Sequence, residues 1–242
     1  MGAAQAAMTV VVPFYNEADN VAPLARALAA FVSEEGAVRP LDFVFVDDGS
    51  TDDTRTRLEE AARGLPATVV AHPENRGLTA ALLTGSNAAR GDLIGWLDAD
   101  LTYEPALLGA LARACDQGAD VALASCYHRD GAVEGVPGWR LLLSRGASLG
   151  HRLTSGRRIA TFTSMVRVQR RAVLARCTPA RGGFAGVTEM LLRALRAGFT
   201  VVEIPAVLRR RRAGASKMRV LRVAAAHLGL MTANLAGRLR PR

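Results

Sequence analysis

Through residues 8–126, short continuous apolar runs alternate with longer stretches whose apolar positions recur every three or four residues. The runs "MTVVVP" (8–13), "LDFVFV" (41–46), "ATVVA" (67–71), "LIGWL" (93–97) and "DVALAS" (120–125) end at turn residues, the pattern of buried strands. Between them, "NVAPLARALAAFVSEEG" predicts a helix stopped near Gly36. "DTRTRLEEAARG" predicts a second, with Ser50, Thr51 or Asp52 available as its cap. Residues 78–90 predict a third, between Gly77 and Gly91, and "PALLGALARACDQG" a fourth with Pro105 in its first turn. Strands spaced by helices predict an α/β fold, a mainly parallel sheet covered on both faces.

After residue 126 the pattern loosens. A helix is expected near 137–153, a strand at 162–168, and an amphipathic helix within "RGGFAGVTEMLLRALRAG". "FTVVEIPAVL" reads as a last strand, followed by the basic "RRRRAGASKMRV" and a terminal helical segment. No repeat or linker divides the 242 residues, so a single domain over 1–219 is expected, with a basic amphipathic extension over 220–242.

The net charge of +9 conceals a split. Residues 1–126 carry eight Lys/Arg against eighteen Asp/Glu, a net of −10; residues 127–242 carry twenty-three against four, a net of +19. That asymmetry predicts a cation-binding site in the first half and an anionic partner for the second, although a coding bias toward arginine would also produce it. Nucleic acid is a poor match for that partner, because only five aromatics follow residue 126 and none are interleaved as a stacking platform. No G-x-G-x-x-G follows the first strand, which argues against dinucleotide binding. Cys115, Cys126 and Cys177 lack metal-ligand spacing and are odd in number, so a reducing compartment is expected. The N-terminus shows no signal-peptide pattern.

The candidate chemistry lies where strands end. Asp47, Asp48, Asp98 and Asp100 all fall at carboxyl ends of strands, where sheets of this kind gather ligands. Asp98-Ala99-Asp100 has the spacing to present oxygen to one hard cation, Mg²⁺ or Mn²⁺, with phosphate oxygens completing the shell. A D-x-D alone also fits a helix cap and a solvated acid. Asp47 and Gly49 also fit turn chemistry, and Pro13 a strand terminator.

Taken together, Pro13-Phe14-Tyr15-Asn16-Glu17, Val46-Asp47-Asp48-Gly49-Ser50 with Asp52, Asn75-Arg76-Gly77, Ala89-Arg90-Gly91-Asp92 and Asp98-Ala99-Asp100 resemble the motifs of family-2 glycosyltransferases with a GT-A fold. The resemblance implies a Rossmann-like α/β/α sandwich and a nucleoside-diphosphate-sugar donor, GDP- or UDP-linked. It implies that Pro13, Tyr15 and Glu17 line the nucleoside pocket, with Asp47 and Asp48 beside it and Asp48 at the base or ribose. Asp98 then lies near ribose and donor sugar, Asp100 on the Mn²⁺ or Mg²⁺, and Arg76 and Gly77 close over the donor.

Within that family the second half is similar to the dolichyl-phosphate mannose synthases and their bacterial polyprenyl-phosphate relatives. Ser144-Arg145-Gly146-Ala147, "TFTSMVRVQRRAVL" (161–174) and Gly214-Ala215-Ser216-Lys217-Met218 carry that likeness. It implies inverting transfer of a hexose of mannose or glucose type to a polyprenyl phosphate, at the cytoplasmic face of an anionic membrane. Cys126 departs from the arginine usual there, Thr161 from an aspartate, Met165 from a glycine and Thr102 from a glutamine. Arg140, Arg145, Arg209–Arg212 and Lys217 are the candidates to meet the phosphate instead. Glu189 is a candidate base for the alternative, a hydroxyl acceptor on a glycan or small molecule, and equally a helix-end acid. A non-catalytic sugar-nucleotide-binding module is the remaining alternative. "VLRVAAAHLGLMTANLAGRLRPR" is too interrupted by His227 and Asn234 to span a bilayer, and fits either an interfacial helix or one packed on the domain or at a homodimer contact.

Overall fold

A computed structural model describes residues 5–211 and 220–239. Five strands and four helices alternate through its first half: β1 Met8–Phe14, α1 Ala18–Glu35, β2 Leu41–Asp47, α2 Thr54–Ala62, β3 Ala67–Ala71, α3 Leu78–Ala88, β4 Leu93–Trp96, α4 Leu107–Asp116 and β5 Val121–Ser125. The second half adds β6 Ala132–Glu134, α5 Gly138–Ser155, β7 Arg167–Arg170, α6 Arg171–Arg176, α7 Gly183–Arg196, β8 Val201–Pro205, β9 Val207–Arg209 and α8 Val220–Leu235.

The main sheet has seven strands in the order β3-β2-β1-β4-β7-β5-β8. β7 runs antiparallel to both neighbours and every other pairing is parallel. Successive residues of β1 feed opposite layers: Val10 and Val12 pack with Leu24, Leu28 and Phe45, while Val11 packs with Val46, Leu82 and Met190. Both faces are therefore covered, which is why the parallel strands read as unbroken apolar runs. A third cluster joins Phe162 and Leu191 to Leu230 of α8, so α8 is docked along one side.

Several elements differ from the sequence reading, the unexpected β6 among them. The expected last strand is two strands, because Ala206 marks a change of sheet: β8 closes the edge of the main sheet and β9 leaves to pair with β6. The strand expected at 162–168 begins at Arg167; residues 162–166 form a buried loop whose apolar composition imitated a strand. The short helix α6, following directly on β7, is additional.

Candidate active site

β1, β2 and β4 run parallel and end on one edge. From β1 the chain moves outward through β2 and β3, then returns to place β4 on β1's other side. A crevice opens at such a switch point, beyond the carboxyl ends of the strands. Glu17 follows β1 on one wall; Asp98 and Asp100 follow β4 on the other.

Both walls are fixed locally. The Glu17 amide donates to Thr54 Oγ1 at 2.8 Å, and Asn20 Nδ2 donates to the Glu17 carboxylate. The Thr102 amide donates to Asp100 Oδ1 at 3.1 Å, and Leu101 between them holds φ at 56°, a conformation costly for a residue with a Cβ. Across the crevice, Arg211 Nε donates to Asp100 Oδ2 at 2.9 Å and its Nη2 to Glu17 Oε1 at 3.0 Å. The enclosing protein, and then the charges of Asp100 and Glu17, push Asp98 up to about 8 against the opposing pull of Arg211. Asp100 and Glu17 share this guanidinium, and Asp98 beside them resists ionising.

That donor set suits a hard divalent cation. Among the described residues no three Asp, Glu, His or Cys side chains enclose a metal by themselves. Mg²⁺ sites commonly take one or two carboxylates and complete the shell with substrate phosphate and water. Asp98 and Asp100 fit that partial set.

The aspartates at the end of β2, Asp47 and Asp48, are both held by hydrogen bonds to nearby backbone. Asp48 is buried and does not offer its carboxylate to the crevice: the amides of Arg76 and Gly77 donate to it at 2.9 and 2.8 Å, and Asn75 Nδ2 at 3.0 Å. His72 Nδ1 lies 2.7 Å from the same carboxylate, and its Nε2 lies 2.9 Å from Thr84 Oγ1. A hydroxyl donating to Nε2 leaves Nδ1–H for the carboxylate, satisfying both ring nitrogens. Asp48 thus organises the 75–77 loop. Asp47 is also buried, and its Oδ1 accepts from the Ser50 amide at 3.0 Å in the turn that follows. Gly49 holds φ at +71°, and a Cβ there would stand 2.3 Å from the Glu74 carbonyl carbon, so glycine lets this turn lie against the loop. Pro13 and Tyr15 are half-buried at the end of β1, and the Arg76 side chain is exposed at the loop tip.

From Asp98 and Asp100 a cavity of about 1170 Å³ runs between α5 and α8. Arg140, Arg209, Arg210 and Arg211 line it together with apolar groups such as Leu141 and Met231. Arg145 is exposed, its guanidinium 5.2 Å from the ring of Tyr127, which does line the cavity. Cys126 is a buried part of the wall. Thr161 Oγ1 lies 2.7 Å from Ser125 Oγ, a structural bond at the position where an aspartate was expected. Beneath this wall Arg167, fully buried, donates to the carbonyls of Ser164 and Met165 and lies 5.3 Å from the Trp96 ring. Arg212 and Lys217 lie outside the described residues.

Glu189 does not reach this cavity. It lies within α7, completely buried, where the amides of Ala180 and Arg181 donate to it at 3.1 and 2.8 Å and Arg193 at 2.8 Å. Burial raises its pKa, but the Arg193 and backbone hydrogen bonds outweigh that and hold it below the usual carboxylate range. It lines a separate pocket between α7 and α8. The sequence pattern placed it at a helix head; the helix begins six residues earlier, at Gly183.

An acid-lined switch point, with an organised loop on one side and a basic, largely apolar cavity on the other, defines an enzyme-like site on a mostly parallel sheet. Solved structures share this architecture throughout. A glucosyl-3-phosphoglycerate synthase from Mycobacterium tuberculosis, crystallised with Mn²⁺, UDP and glucosyl-3-phosphoglycerate, superposes with a TM-score of 0.71 at 19% identity, covering 97% of this chain and 80% of that one. A mycobacterial protein gives a TM-score of 0.75 at 18% identity, over 96% and 75% of the two chains. The fold is GT-A. The family described as Glycosyl transferase family 2 matches residues 9–177, and the chain belongs to it. A polyprenol monophosphomannose synthase of Mycolicibacterium smegmatis is 34% identical over 217 residues, 86% of this chain and 80% of that protein. A dolichol-phosphate mannosyltransferase of Pyrococcus furiosus is 33% identical over 148 residues, 60% of this chain, and the match spans only 40% of the archaeal protein's length.

Proposed function

We propose that the protein transfers a hexose from a nucleoside-diphosphate sugar, GDP- or UDP-linked, to a polyprenyl phosphate, with inversion at the anomeric carbon. The observation that carries this reading is the cavity joining Asp98 and Asp100 to the apolar channel between α5 and α8, with arginines along its wall. A lipid phosphate needs both properties, cations for its head and an apolar path for its chain. The relatives named for polyprenol- and dolichol-phosphate mannosyl transfer support the same acceptor.

The residues divide the work. Glu17 and the loop that Asp48 organises frame the donor. Asp98 and Asp100 would hold Mn²⁺ or Mg²⁺, and the bound ion would supply neutralisation of charge on the departing diphosphate. Arg140, and beyond the described residues Arg212 and Lys217, would orient the acceptor phosphate; Arg145 stands at the rim. A phosphate monoester has a second pKa of ~6, so near neutral pH it is largely a dianion and attacks without surrendering a proton. A hydroxyl acceptor would need a base, and Glu189 has its oxygens occupied elsewhere.

Among the described residues no helix is long and apolar enough to cross a membrane. We place the protein peripherally on the cytoplasmic face of an anionic membrane, since α5 and α8 turn exposed leucines and arginines outward. The test is a donor screen with Mn²⁺ or Mg²⁺, reading nucleoside diphosphate release with polyprenyl phosphate, with dephosphorylated polyprenol and with neither. Release should require the phosphate. Equal release with the free polyprenol would replace the phosphate acceptor by a hydroxyl.

A further inference from the structure

Arg211 belongs to a strap laid across the metal-side loop. β9 precedes it, and the Arg209 amide donates to the Thr102 carbonyl at 2.9 Å. The Arg209 side chain pairs with Glu104 and, at 3.2 Å, with Glu134. The strap is thereby stitched to the Asp98–Thr102 turn, and its next inward-facing side chain reaches the crevice. There the guanidinium bridges opposite walls, Asp100 at 2.9 Å and Glu17 at 3.0 Å. All three side chains are mostly shielded from solvent, with exposures of 21%, 14% and 11% for Arg211, Asp100 and Glu17.

A guanidinium there supplies a single positive charge, and its planar fork satisfies carboxylates on both walls at once. It uses Asp100 Oδ2, an oxygen that a cation bound to Asp100 would also compete for. We infer that Arg211 is a displaceable stand-in for the divalent cation: it holds Glu17 and Asp100 together until metal arrives, then yields Asp100 and turns to the diphosphate oxygens. This rests on the metal site proposed above. A metal alone must compete for Asp100 with a guanidinium already paired there. A metal arriving with a diphosphate brings oxygens that take the fork over. Metal and nucleotide therefore bind cooperatively, and reciprocity requires each to strengthen the other by one factor.

The consequence is read in metal binding and in its coupling to nucleotide. Arg211→Ala removes the competitor, so Mn²⁺ alone should bind more tightly, while the help that nucleotide gives to metal should shrink. The measurement is a titration of the intact chain with Mn²⁺, following free Mn²⁺ by electron paramagnetic resonance, with and without UDP or GDP. Asp100→Asn is the control: loss of Mn²⁺ binding in that variant shows that the titration reads the proposed site. Arg211→Ala should then lower the Mn²⁺ dissociation constant by at least about fivefold, the lower end of ordinary coupling between ligands, and weaken the nucleotide effect by a similar factor. Mn²⁺ binding that is unchanged or weaker in Arg211→Ala overturns the stand-in role. Mn²⁺ binding that is equal in wild type and Asp100→Asn instead removes the metal site on which it rests.

Discussion

At the scale of single residues, the candidate acids serve two distinct ends. Asp98, Asp100 and Glu17 face the crevice, whereas Asp48 and Glu189 are consumed in holding backbone. Glu189 shows the difference most sharply, because its substitution separates stability from catalysis. Glu189→Gln removes the charge that buried Arg193 depends on, and breaking a buried pair costs about 3–5 kcal/mol. Chemical denaturation should show a loss of that order, while transfer per folded molecule stays near wild type. Abolished transfer in a protein of undiminished stability would restore Glu189 as the base. Strand-end acids were legible in the sequence because their spacing from apolar runs is local information. Which candidate acids are taken up by backbone was not, since it depends on which amides come near: those of Arg76 and Gly77 for Asp48 beyond β2, and of Ala180 and Arg181 for Glu189 inside α7. Arg211 was visible only as one of a run of arginines, and its partner Glu17 lies 194 residues away.

At the scale of elements, the first half of the chain was readable because each strand is covered on both faces and each helix carries one apolar stripe. The second half mixes the two signals. Phe162, Met165 and Val166 are buried in a loop, and β9 is too short to announce itself. The seam between α5 and α8 could not be foreseen at all, and it carries a titratable pair. His151 Nε2 and His227 Nδ1 lie 2.9 Å apart, both buried. Burial, and then the neighbouring His227, lowers His151 to about 4; burial lowers His227 as well. In the unfolded chain both return toward 6.5, so as pH falls below that value the unfolded state takes up protons that the folded state refuses. Stability contributed by neutral packing is present above about 6.5 and is lost as pH falls, for His151 down toward 4 by up to about 1.4 kcal/mol per pH unit, with His227 adding to the loss in the same direction. The thermal midpoint should drop across this window, and His227→Gln should flatten the drop. An unaltered slope in that variant would assign the acid sensitivity to other groups.

At the scale of the whole molecule, the charge split and the cavity point in one direction. The crevice end is acidic, the channel wall basic, and the helices flanking the channel expose Leu142, Leu149 and Leu153 on α5 and Leu221, Leu228 and Leu235 on α8. α8 has two sides in the plainest sense: Leu230 and Asn234 are buried against the domain while Leu228 and Leu235 face out. Arg196 donates to Asn234 Oδ1 at 2.8 Å, and Asn234 Nδ2 to the Thr154 carbonyl at 3.0 Å, so the polar residue that interrupts the helix's hydrophobicity is what ties it down. Packing and the proposed membrane contact are then not rivals, because each would use a different side of the helix. Deleting residues 223–242 cannot tell them apart, since it strips buried Leu230 from the core and should destabilise the whole protein. Outward substitutions can. Leu153 and Leu228 are 74% and 63% exposed, so Leu153→Glu with Leu228→Glu should leave the thermal midpoint within a few degrees of wild type. The same pair should sharply reduce cosedimentation with anionic vesicles, by withdrawing apolar area and adding charge of the membrane's own sign. Wild-type binding should weaken with added salt, as screening of the arginines requires, and should be weaker on neutral vesicles. Equal, salt-insensitive partitioning to both vesicle types, unaffected by the two glutamates, would leave the outer leucines without a membrane role.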